Sequence, residues 1–174
     1  MTVSENVYLN GQQEVIGEAG NEIVGKALVQ AGVMNQIKSL PKGTETTLMR
    51  EFDDEGAVLS EGNAQKVIVA RAFAKAAPIQ VYDEPSSALD PIAEYDLYKS
   101  IMQASIGNTT LFVSHRLSSV ADADVIFVLE HGSVIEKGNH GELMDLDGEY
   151  AKMFSMQARS YLADEGVGSN EKVD

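Results

Sequence analysis

Cysteine is absent from the 174 residues, and its absence excludes disulfides, thiolate metal centres and a cysteine nucleophile together. Basic residues are scarce: 13 Lys and Arg stand against 27 Asp and Glu, for a net charge of −14. So acidic a chain lacks the basic footprint of a general DNA, RNA or anionic-membrane surface. One locally built phosphate site is still compatible with that balance. No run approaches the ~18 consecutive apolar residues of a membrane-spanning helix. The opening MTVSENVYLN has neither the basic nor the apolar region of a signal peptide. No internal repeat or low-complexity segment stands out, and His115, His131 and His140 match no zinc spacing. What is present is 44% hydrophobic content in a length suited to one domain or most of one. A cytosolic globular protein is the expectation.

The chain opens helically. Residues 2–38 are expected to be helical with polar breaks around Asn10 and Gly11. From Asn21 the run NEIVGKALVQAG sets Val24, Leu28 and Ala31 on one side of an amphipathic helix closed near Gly32. A shorter helix is expected from Val33 to Leu40, ended by Pro41 and Gly43, and residues 41–58 keep no period and read as loop. Within the first region, Gly20 to Lys26 reads GNEIVGK and meets the G-x-x-x-x-G-K spacing of a phosphate loop. Ala27 offers no hydroxyl to magnesium, no apolar strand leads into Gly20, and the interior of the match keeps helical period. A helix is therefore the reading, and the spacing is an accident.

After Leu59 the pattern changes. Ser60 to Gly62 form an expected turn, and Asn63 to Ala76 an expected helix with Val67, Ala70, Phe73 and Ala74 toward one side. Pro78 ends it. Ile79 to Tyr82 then make a short buried strand that delivers Asp83 and Glu84 and is stopped by Pro85. Asp90-Pro91 starts another helix, with Ile92, Tyr95 or Leu97, and Ile101 available for burial. The strand Thr110 to Ser114 follows, with His115 at its end, then a short helix near Leu117 to Ala121 and a strand from Val125 to Leu129. His131-Gly132 turns that strand into a hairpin with Ser133 to Lys137. His140, or the residues just before it, begins a short helix, and Glu149 to Ser160 form the last one. Strand and helix alternate through residues 79–129, which favours a parallel sheet covered by helices.

The chemistry concentrates where strands end. Asp83 and Glu84 are adjacent, so on a regular strand they point to opposite faces. At a strand end such a pair can divide its work, one carboxylate near magnesium and the other near an attacking water. A solvated acidic edge is the plainer reading of the pair taken alone. His115 also ends a strand, where a neutral imidazole can donate to a phosphate oxygen. A lone histidine is more often structural, and His131 and His140 read as turn and helix-start residues.

Together these stretches resemble the later part of an ABC-type ATP-binding cassette of the exporter type. LSEGN at Leu59 to Asn63 is similar to the family signature LSGGQ, and AQKVIVARAFAK to the helix after it. IQVYDEP at Ile79 to Pro85 resembles the Walker B segment, SALD at Ser87 to Asp90 the D-loop, and the His115 of VSHR the switch histidine. TVSENVYL, LPKGTETTL and DVIFVLEHGSVIEKGNHGELM extend the likeness over about residues 2–158. The resemblance implies ATP and Mg2+ as ligands, with Asp83 helping to hold magnesium through water and Glu84 acting as general base or water-orienting group. It implies that His115 senses the terminal phosphate and that Asp90 links paired cassettes. Ser60 and Gly62 would line the terminal phosphate of ATP bound mainly to a second cassette, homo- or heteromeric. Lys66 and Arg71 read as structural or interface charges. Transmembrane transporter domains are the further implied partners, nucleic acid is not one, and the implied location is the cytoplasmic face of a membrane.

The expected fold class is α/β: a partial P-loop NTPase-like parallel sheet with a helical subdomain, the phosphate-loop strand absent. Residues 1–62 are expected as the helical subdomain and approach to the signature, 63–160 as the C-terminal part of the ATPase core, and 161–174 as a polar, disordered tail. Two departures from the family pattern stand out. Glu61 and Asn63 replace Gly and Gln in the signature, and a carboxylate near a triphosphate repels it unless turned outward. The chain also starts at the ENVYL-like segment, so the Walker A region, the adenine-stacking aromatic and the glutamine-bearing loop are missing. The expectation is an ATPase fragment or subunit that is not active alone and is completed by a missing N-terminal segment in the same chain or in trans. The alternative is a non-hydrolytic partner or regulatory module that lends signature and D-loop contacts to a complete cassette.

Overall fold

The computed structural model describes residues 1–8, 17–48, 56–75 and 77–167, with side chains described through residue 159. The expected breaks at Asn10 and Gly11, the middle of the 41–58 loop, Ala76 and the last residues of the expected tail lie outside these. The chain divides into two compact units, Met1–Val113 and Ser114–Asp174.

In the first unit, α1 (Val3–Val7) is a short helix made possible by a capping box. The Thr2 hydroxyl accepts from the Glu5 amide and the Glu5 carboxylate accepts from the Thr2 amide. Helix α2 (Glu18–Gln30) and α3 (Met34–Lys38) follow. Val24, Ala27, Leu28 and Ala31 form the inward stripe, as helical spacing predicts. They close over Val3, Val7, Val33 and Ile37, and over Val67 and Ala70 of α4 (Glu61–Lys75). Arg71 ties α4 to the chain start by donating to the Asn6 carbonyl at 2.7 Å and to its Oδ1 at 2.6 Å. The loop ahead of α4 holds a 3-10 turn at Gly43–Glu45 and isolated bridges of Thr2 with Thr47 and of Leu48 with Ala57.

The GNEIVGK match lies inside α2. Gly20 is buried in the helix, and the Lys26 ammonium pairs with Glu22 one turn earlier at 2.6 Å. Helix period prevails there over loop-like spacing.

Strand β1 (Ile79–Asp83) pairs in parallel with β2 (Thr109–Val113), joined through helix α5 (Pro91–Ala104). Gln80 and Tyr82 point inward, the Tyr82 hydroxyl donating to Gln80 Oε1 at 2.7 Å. Beneath them Val69, Leu89, Leu97 and Ile101 form a second core, with Phe112 against it. The buried strand expected at Ile79 to Tyr82 is present as a strand, but only one of its faces is covered within the described residues. Ile79 (66%), Val81 (62%), Leu111 (53%) and Val113 (46%) are open on the other. Of the candidates on α5, Leu97 and Ile101 are buried with Tyr98, whereas Ile92 and Tyr95 are exposed because they fall on the opposite side of the helix.

The second unit holds β3 (Ile126–Glu130) and β4 (Ser133–Gly138), an antiparallel hairpin rather than a further parallel strand. The turn chemistry decides this. His131 (φ 48°) and Gly132 (φ 77°) both take left-handed backbone, the twist a two-residue hairpin needs. Helix α6 (His140–Asp145) is capped by Asn139, and α7 (Glu149–Val167) starts on the Glu136 carboxylate, which accepts from the Glu149 and Tyr150 amides. Ile126, Val128, Leu143 and Tyr150 make the core. The expected helix near Leu117 is only a 3-10 turn, Leu117–Ser119. The last helix runs past the expected end at Ser160, since Tyr161 to Glu165 contain no helix breaker.

Candidate functional site

The expected turn at Ser60 to Gly62 is shorter than its sequence suggests, because α4 already begins at Glu61. The Ser60 carbonyl accepts from the Ala64 amide at 2.9 Å, and its hydroxyl accepts from the Asn63 amide at 3.4 Å. Ser60 is thus the cap of the helix, a favoured role for serine, and both Ser60 and Glu61 are exposed. Gly62 lies against the loop after β1: a Cβ there would meet Leu89 Cδ2 at 3.0 Å and the Ala88 carbonyl at 3.2 Å. Close approach of helix and loop therefore asks for glycine at this position.

Asp83 is the last residue of β1, exposed on the same side as Ile79 and Val81. Glu84 follows with φ 45°, left-handed backbone that costs a non-glycine residue on the order of 1 kcal/mol. Simple strand alternation consequently does not set the direction of Glu84. Its amide donates to the Val113 carbonyl at 3.0 Å, which extends the β1–β2 ladder by one bond. Beside it is a concavity of about 640 Å³ lined by Gln65, Val69, Val81, Asp83, Glu84 and Ser87, among others.

The loop from Glu84 to Asp90 is held at three points. Gln65 Nε2 donates to the Glu84 carbonyl at 3.2 Å and to Ser87 Oγ at 2.9 Å, while Gln65 Oε1 accepts from the Ala88 amide at 2.9 Å. Ser86 Oγ donates to the buried Glu94 carboxylate at 2.8 Å. Asp90 caps α5, its Oδ1 accepting from the Ile92 and Ala93 amides at 3.0 Å each. The Ala93 amide bond holds the Asp90 carboxyl below its ordinary value, with smaller help from Ile92 and from the positive charge of Lys66.

Sequence patterning missed Gln65 and Glu94. A signal for Gln65 existed: Gly62, Gln65, Val69 and Ala72 repeat at helical spacing and define a second inward face of α4, on which Gln65 is polar. The first unit thus joins the start of α4, Glu84 and the loop to Asp90. His115 belongs to the second unit, exposed two residues beyond β2, where its carbonyl accepts from Gln157 Nε2 of α7 at 2.6 Å.

Among the described residues no group of three His, Asp or Glu side chains converges as a metal cage. Magnesium typically takes one or two protein carboxylates and completes its shell with water and phosphate oxygens. Asp83, exposed at the end of β1, is the type of carboxylate that such a site would use.

The fold and site define a class, an α/β unit consistent with part of an ATP-binding cassette: a small parallel sheet with an acidic strand end, flanked by helices. No family model matches the chain. It is 40% identical over 131 residues to an ATP-dependent lipid A-core flippase of Legionella pneumophila strain Paris, covering 75% of this chain and 22% of that protein. The flippase of Bordetella avium is 40% identical over 155 residues, covering 89% of this chain and 26% of its own length. A solved structure of a bacterial Atm1-family ABC exporter with ATP bound superposes with TM-score 0.76 at 34% identity, over 90% of this chain and 26% of that one. The chain is similar to these proteins over three quarters or more of its own length, and it spans about a quarter of theirs.

Proposed function

We propose that this chain is the later part of an exporter-type ATP-binding cassette and takes part in ATP hydrolysis that drives transmembrane export. The observation that carries the reading is the acidic end of β1: Asp83 on a parallel strand, then Glu84 in left-handed backbone beside an open concavity. Glu84 orients or deprotonates the attacking water, and Asp83 holds magnesium through water. Magnesium, when bound, neutralises charge on the phosphate oxygens. Ser60 and Gly62 face the terminal phosphate of ATP held mainly by a second cassette, Asp90 belongs to the pairing surface, and His115 senses the phosphate.

The remainder of the cassette, in the same polypeptide or in trans, packs on the open face formed by Ile79, Val81, Leu111 and Val113. Parallel sheets are normally covered on both faces, which supports this placement. None of the described helices is long and apolar enough to cross a membrane. The likeness to an ABC exporter is what supports membrane-spanning transporter segments as proposed partners, with the cassette at the cytoplasmic face.

The test is Glu84→Gln in the assembled transporter, which keeps shape and removes the base. Steady-state magnesium-ATP turnover is expected to fall by about 10²-fold or more. Unchanged turnover would sink the catalytic reading and favour the second one, a non-hydrolytic partner that lends its signature and loop to a complete cassette. Glu61 is the observation behind that alternative, since its carboxylate sits at the helix start that is to face phosphate.

A further inference from the structure

Gln65 lies on α4 one turn after Gly62 and reaches across to the loop that follows β1. Its amide has only one way to fit. The Ala88 N–H can only donate, so the atom facing it is the Gln65 oxygen, and the NH2 is left for the Glu84 carbonyl and the Ser87 hydroxyl. Both ends of the amide are therefore engaged on one short segment.

That segment begins at the strained residue. The Glu84 N–H is fixed by Val113 of β2, and its C=O is fixed by Gln65 and by the Ser87 amide at 3.3 Å. A left-handed non-glycine residue persists only where its surroundings over-determine it. Here β2 holds one side of Glu84 and Gln65 the other. The backbone angles held in this way set the direction in which the Glu84 side chain leaves the chain.

We propose that Gln65 is a positioning residue for Glu84. It transmits the placement of the Ser60–Gly62 helix start to the Glu84 carboxylate through a single side chain, and its loss swings that carboxylate out of register. The proposal rests on the reading of Glu84 as the water-orienting group.

Gln65→Met tests it, since methionine keeps length and volume and deletes all three hydrogen bonds. In the assembled transporter, kcat for magnesium-ATP is expected to fall about 10- to 100-fold, the penalty of a displacement near 1 Å, with KM held within about twofold. Combined with Glu84→Gln, it should add no further loss, because a misplaced base and an absent base are equivalent. In the 174-residue chain, the Ala88 amide should exchange about fivefold faster with solvent. Gln65→Glu keeps the acceptor for Ala88 and sets an acceptor against the Glu84 carbonyl, so it should fail in kcat while Ala88 stays protected.

A Gln65→Met transporter with unchanged kcat, or losses that multiply with Glu84→Gln, overturns the proposal while the role of Glu84 stands. If Glu84→Gln is itself silent, the proposal falls together with the catalytic reading. An unchanged Ala88 exchange rate overturns the clamp whatever the turnover shows.

Discussion

The helices of the first unit and the two-stranded sheet of the same unit treat their apolar residues in opposite ways. Val3, Val24, Leu28, Val33 and Ile37 are almost completely removed from solvent by neighbours on α1 to α4. On the sheet, the inward positions of β1 are Gln80 and the hydroxyl-bearing Tyr82, while the aliphatic Ile79 and Val81 face out. Helices can close a core among themselves once each offers one stripe. A parallel sheet has two faces to cover, and here the aliphatic one is open. The difference teaches that stability and chemistry are unequally distributed: the helical part is self-contained, and the acidic strand end sits on the element that still has surface to bury.

The largest expected effect tests that contrast directly. Leu28→Ala should destabilise the 174-residue chain by about 2–5 kcal/mol in urea unfolding. Val81→Thr, on the open face, should stay within about 0.5 kcal/mol. Equal losses would break the comparison. If Val81→Thr is silent in the isolated chain yet weakens assembly with the rest of the cassette, the comparison is sharpened.

Gly62→Ala probes the seam between the two parts. Alanine is the better helix former by about 0.8–1.0 kcal/mol, whereas crowding costs about 1–3 kcal/mol. The Ala88 carbonyl that a Cβ would meet has little room to retreat, because its residue is pinned by Gln65. A net loss of about 1 kcal/mol is expected, and a stabilised variant would show that the loop yields.

The smallest effect appears only in alkali. Burial pushes the Tyr82 phenol up to about 12, above its ordinary value near 10. The folded state favours the neutral form, so this contribution is complete below about pH 10 and is lost as pH rises toward 12. Thermal midpoints measured across that window should fall less steeply for Tyr82→Phe than for the parent chain.

Much of this was legible in the residues. The stripe of Val24, Leu28 and Ala31, the strand ahead of Asp83, the Asp90-Pro91 helix start and the His131-Gly132 hairpin each follow from local period or turn chemistry. The buried side of α5 was only half legible, because Ile92 and Tyr95 are as apolar as Leu97 and Ile101 and only packing chooses between them. Gln65 escaped because its three partners lie on a loop about 20 residues away in sequence, a separation that periodicity cannot span.

By itself, then, the sequence determined the elements and the order of the chemical groups: a turn at Ser60 to Gly62 leading into a helix, a strand ending in Asp83 and Glu84, and a helix opening at Asp90-Pro91. These depend on interactions within a few residues. Only the tertiary structure decided that Glu84 takes a left-handed backbone, that the Cα of Gly62 packs against the chain's own loop, and that the aliphatic face of the parallel sheet is the open one among the described residues. Those outcomes depend on which distant backbone and side-chain groups meet, and such meetings are settled by packing and hydrogen-bond satisfaction across the fold.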